Sequence, residues 1–213
     1  MIMTKPTLNR LHKTVITLAM AAALAGCASS PTRFYTLSAP QQAQSQMQTP
    51  NSRLFIEVSP IALPERLARP QLVVRSTGSS SGARVDILEQ DRWSSPFNNE
   101  LRDALASGIA NRLGAIDVSR SGRPTDQPVY RIAIELREFD AAPGDKVQAT
   151  YGWSITRSDN AKTSVCRLSV SEPVAAGMDA LVVGVQRTVA DAVNAIAANV
   201  TAFKSGATSA CQN

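Results

Sequence analysis

Histidine is the residue this chain does without. Of 213 residues only His12 is a histidine, and it falls within the first 26. From Cys27 onward there is none, which excludes Ser-His-Asp and Cys-His catalysis of the usual kind and any histidine-based zinc site. Serine–lysine or carboxylate chemistry survives that test, so a hydrolase remains an alternative that the missing histidine counts against. Acidic residues are absent before Cys27, where the charged residues are Lys5, Arg10 and Lys13. A long hydrophobic run is absent there as well. Val15 to Ala25 is 11 residues, about 16 Å as a helix against a hydrocarbon core of roughly 30 Å. Extending it upstream meets Lys13 and His12, so a spanning helix is not expected at this place. Nor is there a basic surplus. Without Lys5, Arg10 and Lys13 the 22 basic residues fall to 19 against 17 acidic, a net of +2, which makes no electrostatic case for nucleic acid.

What is present begins with Leu24-Ala25-Gly26-Cys27. Basic residues, then an apolar run, then small residues before a cleavage point is the order of a secretory leader. Placed directly before a cysteine, the box resembles the lipobox of bacterial lipoproteins. That resemblance implies that the Cys27 thiol takes a diacylglycerol, that the leader is cut just before it, and that the new amine is acylated. Cys27 would then be the membrane anchor. Residue 28 is Ala where Asp would imply retention at the inner membrane, so the resemblance implies the inner leaflet of the outer membrane. About six residues separate Cys27 from the first strand pattern, a reach of at most roughly 20 Å, and the body is expected close against the membrane. The expected organisation is a signal peptide at 1–26, a lipidated tether at 27–33, one domain at 34–204 and a loose tail at 205–213. The 187 residues after the leader suffice for a single core. Two further cysteines, Cys166 and Cys211, either form a disulfide, which an oxidising compartment permits, or remain thiols with Cys166 buried as a small apolar residue. Their separation in space decides which.

Taken in order, Arg33 to Leu37 reads as a strand. Ala39 to Ser52, rich in glutamine, has little to bury and reads as a solvated loop. Leu54 to Val58 is a strand stopped by Pro60, and Ile61 to Pro70 is irregular. Gln71–Arg75 and Arg84–Gln90 form a hairpin around Ser76 to Gly82. The glycines there do not make a phosphate loop, because no Lys-Ser/Thr follows and no helix opens after them. Trp93-Ser-Ser-Pro96 opens a helix, with Ser95 as the expected N-cap and Pro96 at the first helical position. Phe97, Leu101, Leu105, Ile109 and Leu113 make its apolar face, and Gly114 ends it. Ile116 to Val118 is a short strand. Tyr130, Ile132, Ile134 and Leu136 alternate, and Phe139 is out of phase, which predicts a bulge near Arg137. Val147 to Ile155 and Cys166 to Val170 complete an antiparallel meander with turn residues at both corners. A helix from about Ala176 to Phe203 carries a stripe from Met178 to Phe203 that packs on the sheet or, in part, on a neighbouring subunit. Gly184 inside it costs about 1 kcal/mol against Ala. The pattern amounts to a single α/β domain, a mixed sheet flanked by two main helices.

Several of these features occur together in a known family. They are the lipobox, then Phe34-Tyr35-x-Leu37, Trp93-x-Ser-Pro96, Asn99-x-Leu101-Arg102, Ile134-x-Leu136-x-Glu138-Phe139 and Gly152-Trp153. In this order and spacing the chain resembles the PqiC-type lipoproteins of MCE-type intermembrane transport systems, within the ABC-type transport auxiliary lipoproteins. The resemblance covers nearly all of the chain after the leader. It implies an α/β fold, no catalytic residues, and no cofactor. It also implies a role in docking a periplasmic tube at the outer membrane, in support of membrane integrity. The implied partners are an MCE-domain protein, PqiB-like, and further copies of the same chain in a ring. Trp93 and Trp153 are motif residues that either pack in the core or meet a partner. An accessory lipoprotein of another exporter or envelope-assembly machine is the alternative on the same anchor.

Overall fold

The computed structural model describes residues 31–38, 54–76, 83–206 and 211. The leader with Cys27, the glutamine-rich stretch, the turn residues 77–82 and the tail residues 207–210 and 212–213 lie outside them, as do the expectations placed there. Strands β1 (Arg33–Tyr35), β2 (Phe55–Val58), β3 (Gln71–Arg75) and β4 (Val85–Trp93) come first, with one 3-10 turn, Glu65–Leu67, ahead of β3. Helix α1 (Phe97–Leu113) follows. Then come β5 (Ile116–Asp117), β6 (Val129–Ala142), β7 (Lys146–Arg157), β8 (Thr163–Pro173) and helix α2 (Met178–Lys204). This is the α/β order the periodicities predict.

The strands divide between two mixed sheets, one in the order β1-β4-β3 and one in the order β5-β2-β6-β7-β8. In the small sheet β1 runs parallel to β4, and β3 antiparallel to it, the predicted hairpin. In the large sheet β2 runs parallel to both β5 and β6, and β6, β7 and β8 form the antiparallel meander. Alternation decides its faces. Ile132, Ile134, Leu136, Tyr151, Trp153 and Ile155 are buried, while Arg131, Glu135 and Arg137 between them are exposed. The register of β6 against β7 shifts between Leu136 and Glu138. That bulge returns Phe139 to the buried side, as predicted. Gly144, at φ +77°, makes the β6–β7 corner, a conformation open to glycine at little cost.

Both helices cover the buried face of the large sheet. The stripe Leu181, Val185, Val189, Ala192, Ile196 and Val200 on α2 is buried within the chain's own core. By length and composition α2 is apolar enough to cross a membrane, but this stripe is already spent on the sheet. Gly184 has a packing reason that outweighs its propensity cost. A methyl group there would collide with the Val174 side chain and sit 3.2 Å from Val147 Cγ2. Helix α1 ends at Gly114 in the left-handed conformation, φ 59°, as the glycine predicts.

The start of α1 differs from the expectation. Pro96, with extended backbone (φ −49°, ψ 137°), occupies the N-cap position, and no side chain caps the helix. Its carbonyl accepts from the N–H groups of Asn99 and Glu100 at 2.8 and 3.1 Å. The Ser95 hydroxyl instead donates to the Glu100 carboxylate at 3.1 Å. A hydroxyl directed at a charged acceptor makes a stronger bond than one accepting from a neutral N–H, and a buried carboxylate must be satisfied.

Candidate functional site

The motif residues of the first hundred positions converge on one place. β1 is three residues long, too short to hold itself by ladder bonds and apolar burial alone. It lies beside the end of β4, with Tyr35 opposite Trp93 and Arg33 opposite Asp91. Trp93 stacks on Phe97 with ring centroids 5.2 Å apart, and Phe97 meets Phe139 at 5.4 Å. Leu37 and Leu101 are buried beneath. Pro96 turns the chain from β4 into α1 and so delivers Glu100 under β1.

Two buried carboxylates close this arrangement, and among the described residues they are the only buried acids. The Arg33 guanidinium lies 2.7 Å from Asp91, and the Tyr35 hydroxyl donates to it at 3.2 Å. Glu100 accepts from the Thr36 hydroxyl at 2.9 Å, the Leu37 N–H at 3.0 Å, the Ser94 hydroxyl at 2.5 Å and the Ser95 hydroxyl at 3.1 Å. The Ser94 N–H donates to the Tyr35 carbonyl at 2.7 Å, and Gln186 on α2 donates to the Thr36 carbonyl at 3.0 Å. Burial alone would raise the Glu100 carboxyl. The hydrogen bonds from Ser94, Leu37, Thr36 and Ser95 outweigh it and hold the group below the usual carboxylate range. Burial, with the bond to Asp91, pushes the Tyr35 phenol up to about 12. Residues 33–37 are thus clasped to both helices and to β4.

Neither Asp91 nor Glu100 was singled out from the sequence. A signal was available: Glu100 lies three residues after Phe97 and four before Ala104, on the apolar face of α1, and Asp91 lies two before Trp93 on the same strand face. Thr188 and Asn199 interrupt the α2 stripe in the same way. They meet the sheet through Tyr151, 3.1 Å between hydroxyls, and through the Trp153 indole, which donates to Asn199 at 3.0 Å. Asn199 in turn donates to Ser164 at 3.1 Å.

The remaining candidates are placed apart from the clasp. Trp153 lies on β7, and both tryptophans are buried in the core. Cys166 on β8 is joined to Cys211 in a disulfide, Cα atoms 5.5 Å apart, which ties the tail to the edge strand of the large sheet. Cys27 lies outside the described residues. Phe34 is the exception among the motif residues of the clasp. It is 66 % exposed and points away from the core.

Two cavities accompany these elements. The apolar one, among Leu72, Trp93, Phe97 and Val185, holds about 10 Å³, room for one water at most, and is a packing gap. The other is a polar groove of about 440 Å³ on the open side of the sheets, lined by Arg66, Arg75, Glu138, Asp140, Gln148 and Thr150. Its charges are largely engaged, Arg75 with Asp140 at 2.7 Å and Glu138 with Thr150 at 3.2 Å. One serine motif needs exclusion. Gly78-Ser-Ser-Ser-Gly82 has the spelling of a nucleophile elbow, but it connects the antiparallel strands β3 and β4, whereas the elbow requires a strand-to-helix turn.

The family model for the ABC-type transport auxiliary lipoprotein component matches residues 35–197. A crystal structure of an uncharacterized protein is similar, with a TM-score of 0.63 at 16% identity, over 80% of this chain and 99% of that one. A crystal structure of a Xanthomonas campestris protein is similar with a TM-score of 0.61 at 13% identity, over 83% and 100%. At these identities the likeness is one of fold. No curated protein matches significantly.

Proposed function

The chain belongs to the ABC-type transport auxiliary lipoprotein family, whose members are membrane-anchored proteins of the cell envelope, and we propose that it docks an MCE-type periplasmic tube at the outer membrane. In this reading the protein is lipidated at Cys27, acts by contact and not by catalysis, and assembles as a ring of identical subunits around the end of a PqiB-like partner. The clasp is the observation that carries it. The segment that begins six residues after Cys27 is tied by Asp91 and Glu100 to β4 and to the start of α1. The point where the tether enters the fold is therefore held firmly to the core, which suits a module that works by contact from its anchor. The short tether keeps the body within roughly 20 Å of the bilayer, where a tube's end would have to meet it. A tube with rotational symmetry is matched by identical subunits in a closed head-to-tail ring.

Three measurements test this. Labelling with an alkyne fatty acid should mark the wild type and not Cys27→Ala. Equal labelling of both ends the anchor reading. Crosslinking in intact cells should recover a large periplasmic MCE protein, and mass photometry of the lipidated protein should show a species well above monomer. A monomer in membranes with no such partner captured refutes the docking role and leaves an accessory lipoprotein of another transporter in its place.

A further inference from the structure

Residues paired across the small sheet share a face. Phe34 pairs with Arg92, Arg92 with Gln71, Val73 with Ile87 and Arg75 with Val85. Leu72 and Leu88, opposite each other, point the other way, into the core. The outer face thus presents Phe34, 66 % exposed, with Val85 and Ile87, each 44 % exposed, and half-buried Val73. The outer face of the neighbouring large sheet is different in kind. It carries Arg131, Glu135, Arg137, Gln148, Thr150 and Ser169, and its exposed large apolar side chains, Ile116 and Val165, lie apart on its two edge strands, β5 and β8. Around the apolar face of the small sheet stand Arg84 and Arg92, whose side chains are 68% and 36% exposed. Arg84 meets Asp86 at 3.6 Å and donates to the Ser76 hydroxyl at 2.9 Å, and Arg92 meets the Glu89 carboxylate at 3.3 Å and donates to the Glu89 carbonyl at 2.8 Å. Exposed pairs of this kind are worth at most about 1 kcal/mol, so the guanidiniums can exchange them for phosphate oxygens, which they bind as a fork.

We propose that this outer face of the small sheet is a membrane-contact surface, with Phe34, Ile87 and Val85 seated in the headgroup region of the phospholipid bilayer that holds the anchor. The proposal rests on the lipidation of Cys27. The occupant is argued from chain length. Phe34 is seven residues past Cys27, so their Cα atoms are at most about 25 Å apart. The clasp fixes residues 33–37 to the body, so the tether enters the fold within one residue of Phe34. The face nearest the anchor along the chain also groups three exposed apolar side chains, Phe34, Val85 and Ile87, on one small sheet with arginines at its rim. That composition suits a phospholipid interface, where apolar side chains lie roughly 5–10 Å into the headgroup–acyl boundary.

The test uses the full-length lipidated protein in phosphatidylethanolamine–phosphatidylglycerol vesicles, with and without brominated acyl chains. Phe34→Trp and, separately, Ile87→Trp add a reporter to a protein whose two native tryptophans are buried. Emission from each added tryptophan should fall by roughly half in brominated vesicles, as expected for residues at the headgroup–acyl boundary. Ser171→Trp, on the outer face of the large sheet, should be unaffected. Protein that floats with the vesicles but shows no quenching at 34 or 87 overturns the contact and leaves the anchor intact. The same holds if Phe34→Trp is not quenched and a separate Phe34→Cys variant crosslinks to a second copy, since the face is then a subunit interface. Protein that does not float, and so behaves as Cys27→Ala does, refutes the anchor and the contact with it.

Discussion

The two sheets are held in opposite ways. The large sheet has strands of up to 14 residues, long enough to bury a full row of apolar side chains against α2. Its polar pins are neutral pairs, Tyr151 with Thr188 and Trp153 with Asn199, and its edge is tied covalently through Cys166–Cys211. The small sheet holds its first strand by charge, with Asp91 and Glu100 each gathering donors from β1 or its continuation. A three-residue strand offers little area for the hydrophobic effect, at about 25 cal/mol per Å². A charge-assisted hydrogen bond contributes more per atom. The difference teaches that the hold on residues 33–37 depends on ionised groups, while the pins of the large sheet are neutral.

Removing the covalent tie should give the largest effect on global stability while leaving the clasp closed in the folded protein. Cys211→Ser opens a loop of 45 residues in sequence separation, and the chain-entropy account of such loops expects a loss of about 3–4 kcal/mol. Urea unfolding under non-reducing conditions measures it. The amides of Tyr35 to Leu37 should keep their protection from exchange under native conditions. If they lose it, the two regions are not held independently.

The next largest effect breaks the clasp. Glu100→Ala leaves the buried Leu37 N–H without its acceptor and should cost about 2–3 kcal/mol, with amide exchange rising first in residues 35–37. The wild type should show the same loosening in acid. The Glu100 pKa is lowered on folding, so its contribution is fully present above the unfolded value of about 4.3 and is lost as pH falls through the lower folded value. Hydrogen exchange at pH 5 and at pH 3 distinguishes this: β1 should open at the lower pH while β7 stays protected. Equal opening of both strands would remove the contrast.

The smallest effect sharpens the other side. Propensity alone makes Gly184→Ala a gain of about 1 kcal/mol. The collision with Val174 and the close approach to Val147 should turn that into a net loss of about 1–2 kcal/mol, since overpacking costs about 1–3. Gly152→Ala is the control. Its added methyl would meet the Arg137 side chain at 2.8 Å from Nε, and that half-exposed side chain can move away. Thermal unfolding of the two variants should therefore differ in sign or clearly in size.

Much of this was legible in the chain itself. The helix at Phe97–Leu113 announces itself by apolar residues every four positions and a terminal glycine, and β6 by alternation that slips at Arg137. The Ser95 cap was misread because the rule for a helix start considers only the nearest backbone groups. In the folded chain a buried carboxylate five residues on takes the hydroxyl instead. The polar interruptions Glu100, Thr188 and Asn199 are visible on their apolar faces, but their partners are not. Thr36, Tyr151 and Trp153 lie 64, 37 and 46 residues away from them.

The sequence by itself determined the local events: the kind and order of the helices and strands, which way the apolar side of each faces, and the lipobox-like spelling at Leu24–Cys27. These follow from steric and periodic rules that act within a few residues. Only the tertiary structure decided that the strands form two sheets, that Cys166 meets Cys211, that Gly184 is needed for close packing, and that two carboxylates clasp residues 33–37. Each of those depends on which distant residues share a volume from which water has been excluded, and inside it the position of one partner sets the energy of the other.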